Sequence, residues 1–576
     1  MMNVHKKDVI QLLETIAMYM ELKGENSFKI SAFRKAANSL ERDERGLLEI
    51  EDFTTLPNIG KGTASIIQEY IRTGKSEVLQ SLKEEVPNGL IPLLKLPGLG
   101  GKKIARLYQE LNITNADELK EACQSGKIRH LAGFGEKTEK KILLELEKLG
   151  QRPERLPIAY MLSVAEWIES KLQKMEGIIQ YSRAGSLRRY KETIKDLDFI
   201  ISTNERDKVI EQLLSLEHIK EVLASGPTKI SCVLGLDFDV SVDFRIVHEI
   251  EFATTLHHFT GSKDHNVRMR QIAKERGEKI SEYGVEQIET GHVEHFRTEE
   301  EFFQHFNLPF IPPEMREDGS ELDRLEEFEK LVHLNYIKGD LHMHTTWSDG
   351  AHTIEEMIEE ARRKGYEYIA ITDHSQYLKV ANGLTIDRLL KQKEEIARLN
   401  EKYRDIVIFS GVEMDILPDG SLDYPDDILK ELDIVIAAIH SSFQQSEDMI
   451  MKRLQNACEN PYVNIIAHPT GRIIGRREGY KVNVEKLLHM AKETNTILEL
   501  NANPNRLDLS YQFLKDATEM GVKIAINTDA HHINQLHFMK IGTKLARKGW
   551  LKKMDCINTF HAKDLLQQLN NKKTNR

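Results

Sequence analysis

From residue 336 onward the chain repeats one pattern: a short apolar run, a side chain of the kind that binds metals, then a helical stretch. Gly339-Asp340-Leu341-His342-Met343-His344 puts His342 and His344 on one face of an extended segment, with Asp349 in the following loop. The run from Ile369 ends in His374, that from Phe409 in Glu413, and that from Ile434 in His440. Ile465-Ile466-Ala467-His468 and the run from Ile524 to Asp529 and His531 complete the set. Seven such runs alternating with helices predict βα units, and a barrel of them gathers its active site at the C-terminal strand ends. One histidine at a strand end is most often a satisfied polar residue. Nine His, Asp and Glu positions over six strands are too many for solvation to explain.

A second cluster lies upstream. In Lys195-Asp196-Leu197-Asp198-Phe199-Ile200-Ile201, read as a strand, Asp196 and Asp198 share one face and Leu197 and Phe199 the other. Asp239-Val240-Ser241-Val242-Asp243-Phe244-Arg245 alternates the same way and supplies Asp243. Carboxylates crowded on one face repel each other and favour bound divalent cations. Three of them can hold two hard cations and a phosphate oxygen, as two-metal phosphoryl transfer requires. An isolated Asp-x-Asp is more often a polar strand edge; Gly185-Ser186 upstream and the third Asp change those odds.

Gly185-Ser186 followed by Asp196-x-Asp198 resembles the nucleotidyltransferase signature, specifically the palm of the X-family DNA polymerases, the group of DNA polymerase beta. The resemblance continues in His258-Phe259-Thr260-Gly261-Ser262, Asn266, Arg270 and Asn307-Leu308-Pro309-Phe310-Ile311-Pro312-Pro313, and runs from the N-terminus to about residue 316. It implies that Asp196 and Asp198 bind both metals (Mg2+ or Mn2+) and that Asp243 activates the primer 3′-hydroxyl. Gly185, Ser186 and Arg189 would cradle the triphosphate, and Gly261, Asn266 and Arg270 would sit by the nascent base pair. His258 stands where the family often has Tyr against the nucleotide sugar, and Ile66 where eukaryotic relatives carry a Schiff-base lysine, so no strong lyase is expected; Lys61 lies on the hairpin.

The C-terminal segment resembles the PHP (polymerase and histidinol phosphatase) family through its H-x-H, T-D-H, G-x-E and T-D-A-H. That resemblance implies a distorted (β/α)7 barrel with a trinuclear site on His342, His344, Asp349, His374, Glu413, His440, His468, Asp529 and His531. Such metals would bind a phosphodiester, deprotonate a bridging water and stabilise the leaving 3′-oxygen. Mixed imidazole and carboxylate ligands suit Mn2+ or Zn2+. Arg472 and Arg506, just beyond strand ends, are candidate phosphate contacts.

The first 150 residues read as helices. Leu56-Pro57-Asn58-Ile59-Gly60-Lys61-Gly62, Leu96-Pro97-Gly98-Leu99-Gly100 and Leu131-Ala132-Gly133-Phe134-Gly135 each open an amphipathic helix. They look like helix-hairpin-helix elements, whose backbone amides (Gly60, Gly62, Gly98, Gly100, Gly133, Gly135) grip DNA phosphates without reading sequence. A lone Gly-x-Gly is usually only a turn; three copies make a DNA-backbone role the better reading. A net charge of −11 argues against a simple electrostatic DNA binder, but not against backbone-amide binding with many acids engaged as ligands.

At 576 residues several domains are expected. The fold class is multidomain: a lyase-like helical domain over 1–85, a helix-hairpin-helix domain over 86–152 and an α/β palm over 153–253. A small mixed α/β nascent base-pair domain follows over 254–316, then an acidic linker over 317–335 and the barrel over 336–576. No apolar run reaches membrane-spanning length, and Met1 to Leu13 lacks a signal-peptide hydrophobic region. Cys123, Cys232, Cys458 and Cys556 form no C-x-x-C, so reduced thiols in a cytosol are expected; the resemblance to X-family polymerases with a PHP domain implies a bacterial, nucleoid-associated protein. The function expected is gap-filling polymerisation on gapped or primer-template DNA with deoxynucleoside triphosphates, by a monomer. A 3′–5′ exonuclease in the barrel, extending to abasic or blocked 3′-ends, completes it. Two rivals stand beside it: a small-molecule phosphatase in the barrel, and a DNA-binding scaffold with both sites idle.

Overall fold

The computed structural model describes residues 6–43, 47, 50, 52–96, 99–150 and 154–574. It divides into two compact units, 1–154 with 379–382, and 155–378 with 383–576.

The first unit is helical. Helices α1 (Lys6–Lys23), α2 (Ser27–Arg42), α3 (Lys61–Thr73), α4 (Glu77–Glu85), α5 (Gly101–Leu111), α6 (Ala116–Gln124) and α7 (Glu136–Gly150) bury one apolar core, with Leu13, Ile16, Ile67, Leu90, Ile104 and Leu119 among its members. Each full burial of such a side chain stabilises by about 1.5–3 kcal/mol. Helices α3, α5 and α7 each follow a short 3-10 turn and the same tight bend: Ile59, Leu99 and Phe134 donate backbone N–H bonds to the carbonyls of Leu56, Leu96 and Leu131. The three hairpins are therefore in register on those leucines. On that register Gly60, Gly100 and Gly135 correspond, whereas Gly62 lies one step inside α3 and matches Lys102 and Lys137. Gly98 lies outside the described residues.

The second unit opens with β1 (Leu156–Pro157) and α8 (Ile158–Leu172), then β2 (Ile178–Arg183), the single turn α9 (Gly185–Arg188), β3 (Thr193–Ile194), β4 (Asp196–Thr203), α10 (Arg206–Leu214), β5 (Ile219–Ser225), β6 (Lys229–Gly235) and β7 (Asp239–Val247). Strand order β2-β4-β7-β6-β5 makes a five-stranded mixed sheet in which only β4 and β7 are parallel neighbours. Beneath them Phe199 and Phe244 stack at 5.8 Å, fully buried. Helices α11 (Phe252–Thr260) and α12 (Lys263–Glu275), the small sheet β8 (Glu278–Ile280), β9 (Val285–Gln287) and β10 (Val293–Glu294), and α13 (Glu299–His305) follow, with a core of their own around Phe302 and Phe303.

Residues 317–335, expected as an acidic linker, are instead packed. They form short 3-10 turns, Ser320–Asp323 and Leu325–Lys330, with Glu321, Leu322, Leu331 and Val332 buried. The reason is that its acids are already engaged: Glu321 lies 2.6 Å from His265 Nδ1, and Glu317 takes Lys191 and Lys548.

The rest is a parallel barrel of β11 (Gly339–Asp340), α14 (Ile354–Arg363), β12 (Tyr368–Ile371), α15 (Ile386–Lys402), β13 (Val407–Asp415), α16 (Asp426–Leu429), β14 (Ile434–Ala438), α17 (Glu447–Glu459), β15 (Ile465–Ile466), α18 (Val484–Thr494), β16 (Ile497–Asn501), α19 (Tyr511–Met520), β17 (Ile524–Asn527), α20 (Met539–Lys548) and α21 (Ala562–Thr574). The seven strands run in sequence order, and a parallel bridge between Met343 and Ala530 joins the last to the first. Asp340, fully buried, accepts bonds from the N–H and hydroxyl of Thr528 across that seam. Apolar side chains fill the lower barrel, where Leu565 and Leu569 of α21 close the end; the strands' C-terminal ends remain for polar groups.

Candidate functional site

In the palm, register pairs Asp198 with Asp243 directly and Asp196 with Ser241, so the three carboxylates share one face of two adjacent strands. Burial, then the charges of Asp196 and Asp243, push the Asp198 carboxyl up to about 7. A carboxylate held that high by burial and by like charges is a place where a cation would be stabilised. Asp243 is steadied from β6: Ser231 Oγ donates to it at 2.6 Å and Lys229 Nζ stands 2.7 Å away. Lys229 went unread in the sequence, where it was only part of a strand.

Gly185 has φ +59°, and a Cβ there would come within 2.1 Å of Asp198 Oδ2, so only glycine brings this turn against the carboxylates. Ser186 is half-buried beside it. Arg189, expected to contact a triphosphate, donates to the Thr260 carbonyl and lies against Gly261. On α12 the Asn266 amide donates to the His258 carbonyl at 2.8 Å, and Arg270 Nε to the Asn266 carbonyl at 3.2 Å, so these three sit together. Burial holds the His258 imidazole below its ordinary range and therefore neutral.

At the top of the barrel five imidazoles surround one fully buried carboxylate. Glu413 has His374 Nδ1 at 2.9 Å, His468 Nε2 at 2.9 Å, His440 Nε2 at 3.2 Å, His342 Nε2 at 3.4 Å and His344 Nε2 at 3.5 Å. Three overlapping groups can each surround a cation: His344, Asp349, His374 and His531; His342, His344, Glu413 and Asp529; and His374, Glu413 and His440. His468 joins through Glu413. Glu413 Oε2 and the Nδ1 atoms of His344, His374 and His468 are buried with no hydrogen-bond partner among the described residues. His374 Nδ1 and Glu413 Oε2 thus face each other at 2.9 Å without a hydrogen bond, and buried donor atoms so placed are costly unless a cation satisfies them, so this set fits divalent metals.

The electrostatics agree. Burial alone would raise Glu413, yet the imidazoles around it, His440 first, hold it well below the carboxylate range. Burial opposes protonation of His440, but Glu413 and Asp415 raise it to about 10; Asp349 and Asp529 likewise raise His531 to about 9. His344, buried beside His531 and His374, falls to about 3.

Two supporting carboxylates were missed in the sequence. Glu499, mid-strand in β16, lies 2.7 Å from His342 Nδ1 and accepts from the His468 amide; Asp415 lies 3.3 Å from His440 Nδ1. A charged residue within an apolar strand, as in Ile497-Leu498-Glu499-Leu500, was the available signal. Arg506 Nε is 3.5 Å from Asp529 Oδ2, at the cluster. Arg472 is not available for phosphate: it forks onto Glu192 of the palm at 2.9 and 2.7 Å.

In the helical unit Gly60 and Gly100 cap α3 and α5 with ordinary extended backbone, φ −86° and −85°. A Cβ at Gly60, Gly62, Gly100 or Gly135 would meet nothing within 4 Å. No described neighbour asks for glycine at these places, and glycine's lack of a side chain leaves the backbone there open to close approach. Gly133, at φ +86°, is a turn glycine, and Asn58 at φ +62° fills the matching place in the first hairpin. Ile66 packs against the helical core, and Lys61 is the first residue of α3.

The family models described as DNA polymerase beta thumb (residues 255–317), helix-hairpin-helix domain (4–76), SAM-like helix-hairpin-helix tandem (90–148) and PHP domain (340–503) all match. The chain is 60% identical over 98% of its length, and 99% of the relative's, to a protein of Bacillus subtilis named "DNA polymerase/3'-5' exonuclease PolX". The chain belongs to the PolX family of DNA polymerases with a C-terminal PHP domain. Its other relatives include "Probable phosphatase" proteins of Thermoanaerobacter sp. (39% identical, 33% of this chain and 78% of the relative) and Caldicellulosiruptor bescii (30%, 36% and 86%). These share about a third of this PolX-family chain. Among the described residues no helix is long and apolar enough to cross a membrane.

Proposed function

We propose that the chain is a DNA-directed DNA polymerase that fills short gaps in repair and carries a metal-dependent 3′–5′ exonuclease in its barrel. The observation that carries this reading is full-length likeness to a protein named for both activities, in a chain whose barrel holds a metal-fitting cluster and whose palm sets three carboxylates on one face. Asp196 and Asp198 would hold two Mg2+ or Mn2+ ions with Asp243, whose carboxylate, steadied by Ser231 and Lys229, accepts the proton of the primer 3′-hydroxyl. Gly185, Ser186 and Arg189 receive the triphosphate, and Gly261, Asn266 and Arg270 border the nascent base pair. Gly60, Gly62, Gly98, Gly100, Gly133 and Gly135 let the hairpins approach the DNA backbone.

In the barrel, His342, His344, Asp349, His374, Glu413, His440, His468, Asp529 and His531 would hold Mn2+ or Zn2+, with Glu499 and Asp415 orienting His342 and His440. Bound there, such ions supply the charge that binds a phosphodiester and lower the pKa of an attacking water. Arg506 contacts the phosphate, and the same site processes blocked or abasic 3′-ends. Ile66, standing where eukaryotic relatives carry the Schiff-base lysine, argues against a strong lyase in the helical domain. The domains divide at about 85, 152, 253, 316 and 335, with 317–335 a packed connector, and the enzyme works as a cytoplasmic monomer on the chromosome.

A 5′-labelled primer on a short gapped duplex with manganese tests this. Longer product with deoxynucleotides and shorter product without them is expected. Asp243→Ala abolishes extension and spares digestion, and His344→Ala does the reverse. One variant losing both activities would count against two separable sites, and hydrolysis of small phosphate esters but not DNA ends would favour the phosphatase reading.

A further inference from the structure

The turn that begins with Gly185 and Ser186 continues through Arg188 to Glu192, and every side chain of that continuation is held from outside the palm. Arg188 donates to Thr260 Oγ1 at 2.7 Å and pairs with Glu299 at 2.5 Å. Arg189 reaches the Thr260 carbonyl, and its own carbonyl accepts from Lys548 Nζ at 2.8 Å. Tyr190 lies 4.6 Å beneath Lys544, and Lys191 pairs with Glu317. Glu192 accepts both arms of Arg472 at 2.9 and 2.7 Å.

Three of these partners come from the barrel rather than the polymerase. Lys544 and Lys548 lie on α20, and Arg472 lies in the loop after β15. Lys548 is nearly inaccessible, its side chain 1% exposed, and it donates also to Glu317 Oε1 at 2.6 Å. A buried ammonium placed between a backbone carbonyl and a carboxylate defines one position for that backbone, because any other leaves the charge unpaired. A forked guanidinium–carboxylate pair adds orientation as well as attraction. Arg472 also donates to the carbonyls of Arg506 and Leu507, so one guanidinium grips the palm turn and the strand of chain that carries Arg506.

We propose that the barrel completes the polymerase's nucleotide site: Lys548 and Arg472 are positioning residues that hold residues 185–192 where Gly185, Ser186 and Arg189 can receive a triphosphate. The Glu192–Arg472 pair also holds Arg506 at the nuclease cluster, so it serves both sites, whereas Lys548 serves polymerisation alone. This rests on the polymerase reading above.

The test uses the full-length enzyme, with Lys548→Met, Lys548→Arg and Glu192→Gln beside the wild type. Deoxynucleotide KM and kcat on gapped DNA, 3′-end digestion and thermal unfolding are measured for each. Lys548→Met is expected to raise the deoxynucleotide KM about tenfold, with a smaller change in kcat and unchanged digestion. Lys548→Arg keeps the charge and restores the KM. Glu192→Gln is expected to raise the KM and slow digestion together. A wild-type KM in Lys548→Met overturns the proposal. So does a parallel loss of extension, digestion and melting temperature, which marks a structural role only. Failure of the wild type itself to extend the primer instead removes the polymerase reading, and the proposal with it.

Discussion

Replacing Asp198 with Asn removes a charge that the metal-free palm holds under repulsion. Burial first, then Asp196 and Asp243, lift that carboxyl to about 7. An exposed aspartate titrates near 3.9, so between about pH 4 and pH 7 the folded chain keeps a proton that the unfolded chain has lost. A folded-state pKa raised above the unfolded one contributes stability at low pH that is lost as pH rises to the folded value. Three units at 1.36 kcal/mol each set the penalty above pH 7 at about 4 kcal/mol as an upper figure. Asparagine has the same shape and no charge. Asp198→Asn is therefore expected to be more stable than the wild type at pH 8 in chelator, by as much as about 4 kcal/mol, and so to unfold at higher temperature. The same relation narrows the gap to about 1.5 kcal/mol at pH 5. Saturating Mg2+ should shrink or reverse the order at pH 8, because the wild type gains binding free energy that the variant forgoes. Primer extension should be lost throughout. Equal or lower stability of the variant at pH 8 without metal, or a gap that does not narrow toward pH 5, would refute the repulsion argument.

Metal loading of the barrel should release protons. His440, raised to about 10, and His531, raised to about 9, are charged in the metal-free protein at pH 7.5 and must be neutral to ligate. Burial opposes protonation of His342, but Glu499, Glu413 and Asp529 hold it well above the imidazole range, so it must give up a proton as well. Mn2+ or Zn2+ added to stripped protein in weak buffer should therefore acidify it by about three protons per chain, with affinity rising with pH; an unchanged indicator dye contradicts this. Glu499→Gln should weaken barrel metal binding about 10- to 100-fold in chelator competition while leaving primer extension intact. Gly100→Ser supplies a better helix cap than glycine, so α5 should not be destabilised, yet gapped-duplex affinity should fall because a side chain now stands where the hairpin meets phosphate. Unchanged DNA binding in that variant would mean the second hairpin does not touch the backbone.

Most of the barrel cluster was legible in the sequence because residues such as His374, His440 and His468 follow closely on an apolar run, a change that is visible without a fold. Asp196, Asp198 and Asp243 were legible for a related reason, since alternation alone puts the first two on one face. Glu499 was not, because it sits inside a strand whose neighbours are all apolar, and only closure of the barrel turns that face toward His342. The hairpins were legible as three segments in register on Leu56, Leu96 and Leu131; what Gly60-Lys61-Gly62 hides is that Gly60, not Gly62, aligns with Gly100 and Gly135. The acids of 317–335 read as a solvated linker because composition cannot say that Glu321 and Glu317 already have cationic or imidazole partners. Arg472 shows the limit most sharply. Its place beyond a strand end argued for phosphate, and its partner Glu192 lies 280 residues away. No periodicity or motif connects two positions so distant. Their pairing follows from the way the palm packs on the barrel, and so the dependence of the nucleotide site on the nuclease domain becomes visible only in the folded chain.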